Sequence, residues 1–149
     1  MEILQDPDGY YMDAALREAE AAREEKEIPI GAVIVDSTGS IIARAHNLTE
    51  RLHDTTAHAE MLAFTAASEA LGAKYLTGCT LYVTVEPCPM CAGAAGWTQL
   101  SRIVYGAADN KRGCHLLSGP VLHPRTEVQG GVREEECTKL MKDFFKGRR

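Results

Sequence analysis

No apolar run in this 149-residue chain is long enough to cross a bilayer; the longest, residues 28–35 and 41–45, fall far short of the ~20 residues a membrane helix needs. The opening MEILQDPDGYYMD is acidic and lacks a positive region followed by an apolar core, so no secretory signal is expected and the cytoplasm is the expected location. Aromatic residues are scarce at 6%, and 16 Lys and Arg are outnumbered by 21 Asp and Glu, leaving a formal net charge of −5. That counts against a general nucleic-acid binder, which is usually basic. A local basic face is still open. Lys139, Lys142, Lys146, Arg148 and Arg149 gather at the C-terminus, and Lys111 with Arg112 forms a smaller cluster, although such groups also read as solvated helix faces. The cysteines (Cys79, Cys88, Cys91, Cys114 and Cys137) are odd in number, which argues against a disulfide framework and for reduced thiols. Repeats and low-complexity segments are absent from the sequence. What remains, 45% hydrophobic and 25% charged, describes one soluble globular domain over residues 1–149.

Apolar positions Ala15, Leu16, Ala19 and Ala22 recur at helical spacing, predicting an amphipathic helix over about 10–27 that closes before Pro29. Residues 30–35 read as a buried strand, 36–39 as a turn and 40–45 as the returning strand of a hairpin. A polar loop leads to a helix over 57–71 that stops at Gly72. Residues 80–85 form a strong β-run, 87–97 a helix opening with prolines, 102–106 a short strand, 126–129 a last strand and 132–146 a closing helix. Alternating strands and helices predict an α/β sheet with helices on both faces.

The chemistry concentrates in His58-Ala59-Glu60 and Pro87-Cys88-Pro89-Met90-Cys91. Alone, Cys-x-x-Cys also fits a redox pair or a structural zinc half-site, and His-x-Glu is common by chance. Together, one His and two Cys make three zinc ligands with the fourth tetrahedral position open, the arrangement of a catalytic site rather than a structural one. Cys88 and Cys91, three apart at a helix start, can close on one ion, and the unpaired first-turn amides favour their thiolates. Glu60 can join them only if His58 stands at the very end of its helix, with the metal beyond the tip. A carboxylate there is placed to shuttle protons between water and substrate.

His-x-Glu followed by Pro-Cys-x-x-Cys is the signature of zinc-dependent base deaminases. From about Tyr11 to Arg149 the sequence resembles the cytidine/deoxycytidylate deaminase superfamily, and within it the bacterial tRNA-specific adenosine deaminases. The matching stretches are Ile28-Pro29-Ile30-Gly31-Ala32-Val33, Ala45-His46-Asn47, Thr56-Ala57-His58-Ala59-Glu60, Leu81-Tyr82-Val83-Thr84-Val85-Glu86-Pro87-Cys88, Met90-Cys91-Ala92-Gly93-Ala94 and Asp143-Phe144-Phe145-Lys146-Gly147-Arg148-Arg149. The resemblance implies a three-layer α-β-α fold with a mixed five-stranded sheet, a homodimer, and one Zn2+ per subunit with no organic cofactor. The implied reaction hydrolyses the wobble adenosine of a tRNA anticodon stem-loop to inosine. It also implies zinc ligation by His58, Cys88 and Cys91, proton transfer by Glu60, and substrate contacts from Asn47, Asp109 and Phe145. By residue type alone, Asn47 fits equally well as a turn residue, Asp109 as an ordinary loop aspartate, and the Phe144-Phe145 pair as core. A free guanine or cytosine deaminase on the same fold is the nearest alternative function. Between Gly113 and Glu127 the chain departs from the expected small-residue loop, reading Gly113-Cys114-His115-Leu116-Leu117-Ser118-Gly119-Pro120; Cys114 and His115 are read there as loop residues rather than a second metal pair.

Overall fold

The structure, a computed structural model, describes residues 5–147, so Arg148 and Arg149 of the basic cluster lie outside the described residues. In chain order the elements are α1 (Pro7–Glu24), β1 (Gly31–Val35), β2 (Ile41–His46), α2 (Ala59–Leu71), β3 (Thr80–Val85), α3 (Pro89–Thr98), β4 (Arg102–Ala107), a 3-10 turn (Cys114–Leu116), β5 (Glu127–Gln129) and α4 (Glu134–Lys146). Helix α1 starts ahead of the periodic apolar residues. Asp6 accepts from the Gly9 amide at 3.1 Å, and Pro7 follows where the helix needs no donor. The helix also stops sooner than Pro29 requires, because Lys26 turns left-handed at φ 63°. Helix α2 ends as expected, on Gly72 at φ 64°.

The strand order is β2-β1-β3-β4-β5, with β1 antiparallel to β2 and β3, and with β3–β4 and β4–β5 parallel. Alternation along the strands divides two cores. Ala32, Ile34, Leu81, Val83 and Ile103 face Ala59, Ala63, Phe64 and Ala67 of α2 and Ala95 of α3. Val33, Val35, Tyr82 and Val104 face Tyr11, Met12, Ala14 and Ala15 of α1 and Cys137 of α4. Helices therefore cover both faces, giving the expected three-layer α-β-α architecture with a mixed five-stranded sheet. Burial on both sides also explains why 30–35 reads as an unbroken apolar run and 80–85 as a β-rich one, neither alternating with exposed polar residues. At Gly31 the layers touch: a Cβ there would run into the Ala15 carbonyl and the Ala19 amide of α1.

Functional groups in open α/β sheets collect at the carboxyl ends of strands. Here β3 ends at Val85 and passes directly into Glu86-Pro87-Cys88, so the central strand delivers the first cysteine to that edge.

Candidate metal centre

His58 and Cys88 each stand just outside a helix. His58 is the N-cap of α2, extended at φ −74° and ψ 152°, and Cys88 is the N-cap of α3 at φ −74° and ψ 172°. The spacing predicts helices from 57 and 87 that would include both; the structure starts the helices two positions later, at Ala59 and Pro89, leaving His58 and Cys88 as caps just outside the helix tips. Cys91 lies in the first turn of α3 and is buried. His58 Nδ1 lies 3.6 Å from Cys88 Sγ and 3.5 Å from Cys91 Sγ. A tetrahedral zinc with bonds of ~2.3 Å to sulfur and ~2.0 Å to nitrogen holds such atoms about 3.5 Å apart. The donor set and its spacing therefore fit zinc. Among the described residues this is the one group of three potential ligands whose donor atoms lie within 4.8 Å of one another.

Glu60 occupies the first turn of α2 and is 4% exposed. Burial pushes its carboxyl up to about 7, and the nearby Cys88 sulfur acts in the same direction. The two cysteines differ in their surroundings. The Cys91 thiol and His58 ring stabilise charge on Cys88, lowering it to about 4, while Cys91, hydrogen-bonded to that sulfur and desolvated, is pushed up. His58 is raised, chiefly by its bond to Cys88. A metal needs both sulfurs as thiolates, so loading releases protons.

Two loops border this centre. In the first, Asn47 is 4% exposed and directly follows β2. The Leu48 amide donates to the Ala57 carbonyl at 3.0 Å, which ties the Asn47 segment to the residue before His58. Asn47 Nδ2 donates to Glu27 Oε1 at 3.3 Å and to Thr49 Oγ1 at 3.1 Å. Glu27, 1% exposed, also accepts from the amides of Glu50 at 3.0 Å and Arg51 at 2.8 Å.

In the second loop, Asp109 Oδ1 accepts from the amides of Lys111 and Arg112, each at 3.0 Å, closing a turn. The Glu86 side chain, fully buried, accepts from the Asp109 amide at 3.0 Å, the His115 amide at 2.7 Å and His115 Nδ1 at 2.7 Å. Burial alone would raise Glu86, but these donors outweigh it and hold the carboxyl below its ordinary value. Gly113 is required there, because a Cβ would collide with that carboxylate and with the Asp109 carbonyl. Cys114 is pushed up to about 11 by burial. It turns toward Glu86, as His115 does, and neither belongs to a metal group among the described residues.

Of the adjacent aromatics on α4, Phe144 is 9% exposed and Phe145 48% exposed, so one serves the core and the other faces outward. Phe145 lines a groove with Met141, Lys142 and Lys146. Sequence reasoning named every member of the metal group but missed Glu27 and Glu86. Their signal was charge where burial was due: each directly abuts an apolar segment, 28–35 after Glu27 and 80–85 before Glu86.

A three-layer fold that presents His, two Cys and a buried Glu at its helix N-termini defines the zinc-dependent deaminase class. The chain belongs to the cytidine and deoxycytidylate deaminase family, whose zinc-binding region matches residues 5–107. It is 49% identical over 144 residues to the tRNA-specific adenosine deaminase of Bacillus subtilis (strain 168), covering 93% of this chain and 89% of that protein. A structure solved in work on A-to-I editing by tRNA:A34 deaminases at the wobble position of transfer RNA superposes with a TM-score of 0.82. That structure is 43% identical and covers 88% of this chain and 98% of its own. Guanine deaminase from Bacillus subtilis is a more partial match: 40% identity and a TM-score of 0.63, covering 66% of this chain and 63% of that one.

Proposed function

We propose that this protein hydrolyses the wobble adenosine of a tRNA anticodon to inosine, releasing ammonia, with one zinc ion per subunit. The observation that carries the deaminase reading is the placement of Glu60, a desolvated carboxyl beside three convergent metal-ligand atoms. The adenosine-in-tRNA reading rests on the near full-length likeness to tRNA-specific adenosine deaminases, set against the partial match to guanine deaminase.

His58, Cys88 and Cys91 would hold the ion and leave one coordination position open. Bound there, zinc supplies a water nucleophile at neutral pH by lowering that water's pKa. Glu60, poised near neutrality, takes a proton from the attacking water and delivers it to the ring nitrogen of the extruded purine. It then takes the proton of the new C6 hydroxyl and passes it to the amine as the C6–N bond breaks and the carbonyl forms, so adenosine and water become inosine and ammonia. Asn47 contacts the flipped base and Asp109 the neighbouring ribose. Phe145 offers a ring face to an unstacked anticodon base, beside Lys142 and Lys146, whose charges supply a local attraction to phosphate despite the acidic whole.

A single domain working as a cytoplasmic homodimer completes the proposal. Trp97, 85% exposed on the same helix as Cys91, supports a subunit contact. Among the described residues no helix is long and apolar enough to cross a membrane. The test is to incubate the zinc-loaded protein with a wobble-adenosine anticodon stem-loop and, separately, with guanine, cytosine, adenosine and cytidine. Inosine at the wobble position, with ammonia in equal amount, is expected. Ammonia from a free base and none from the stem-loop would contradict the tRNA assignment.

A further inference from the structure

Glu27 lies outside the metal group, yet it is almost wholly buried and its carboxylate meets three donors of one loop. Burying a carboxylate is costly unless its oxygens are bonded. Here Oε1 receives Asn47 Nδ2 and the Glu50 amide, and Oε2 receives the Arg51 amide. The loop is thus wrapped around a charge that enters from the far side, at the turn after α1.

The effect on Asn47 is specific. An ionised carboxylate accepts only, so the carboxamide must present its NH2 end to Glu27, and Thr49 Oγ1 receives the same nitrogen. Backbone bonds fix the segment at both sides: the Asn47 amide donates to Ile30 at 3.1 Å, and Leu48 is tied to Ala57 beside His58. With the backbone pinned and one end of the amide fixed, the side chain is left a single orientation, on a segment bonded to the residue before His58.

We propose that Glu27 is a positioning residue for the deamination reaction, acting through Asn47 by fixing the orientation of its carboxamide. This rests on the reading of Asn47 as a substrate contact. Glu27 does not itself meet the substrate. It pre-organises the group that does, so its loss reduces productive placement of the base rather than zinc binding or global folding.

The experiment is a double-mutant cycle on the zinc-loaded protein with the wobble-adenosine stem-loop, using Glu27→Gln, Asn47→Ala and the pair. Thr49→Val serves as a second, half-buried probe of the same carboxamide. Zinc content and melting temperature are measured for each variant. Glu27→Gln is expected to lower kcat/KM by about thirtyfold with zinc retained, but by under about threefold in the Asn47→Ala background, because the two act as one unit. Thr49→Val should lower kcat/KM by about threefold, and that effect should also vanish in the Asn47→Ala background. If Glu27→Gln and Thr49→Val cost the same with and without Asn47, Glu27 is structural only and the proposal is overturned. If Glu27→Gln fails to fold, the Thr49→Val pair decides on the same criterion. Should Asn47→Ala alone leave kcat/KM unchanged, the substrate-contact reading fails first and the positioning role falls with it.

Discussion

The metal centre and the loops around it are held by different physics. Every residue of the centre sits at or beside a helix N-terminus: His58 and Cys88 as caps, Cys91 and the neighbouring Glu60 in first turns. Helix geometry and the packed sheet beneath fix those positions. The surrounding loops, 47–51 and 109–115, have little regular structure, and buried Glu27 and Glu86 hold them by accepting their amides. The candidate metal centre is thus mounted on rigid elements, and the loops proposed to meet the substrate are mounted on side-chain anchors. Variation in the loops can change what is bound without moving the atoms that react.

The contrast is broken most severely at the centre. Cys91→Ala removes a buried ligand and should abolish both zinc retention and turnover, measured by metal analysis and inosine formation. Native-like zinc content in that variant would mean that the ion is held elsewhere. A smaller effect is expected outside it. Phe145→Ala should leave zinc content unchanged and lower kcat/KM for the stem-loop by about 5–150-fold, the equivalent of ~1–3 kcal/mol for one lost base–aromatic stack. An unchanged kcat/KM would remove α4 from the RNA surface and sharpen the boundary between the two regions.

The same contrast explains what could be read from the sequence. Short apolar and β-rich runs bounded by turn residues marked all five strands, and glycine at 72 stopped α2 where the spacing predicted. The ligand group was legible because each half lies within four residues, His58 to Glu60 and Cys88 to Cys91, and helix-tip geometry does the rest. Glu27 and Glu86 were only half legible. Each abuts a segment due for burial, but their partners lie twenty or more positions away, so nothing local showed what they would bond. The ends of α1 were displaced for a local reason, since Asp6 and Pro7 start a helix before any apolar repeat shows it. The segment 113–124 reads as loop, and is loop apart from one short turn at Cys114–Leu116. That it folds back onto Glu86 depends on Gly113, whose missing Cβ leaves room for the carboxylate.

The central claim is that Glu60 moves protons at a centre whose metal is held without it. Its most direct test is Glu60→Gln, read by zinc stoichiometry and by single-turnover inosine formation on the stem-loop. The account predicts zinc bound as in the unmodified protein and a rate lower by about 10²–10⁴-fold. A rate within a few-fold of the unmodified protein, with zinc in place, would contradict it.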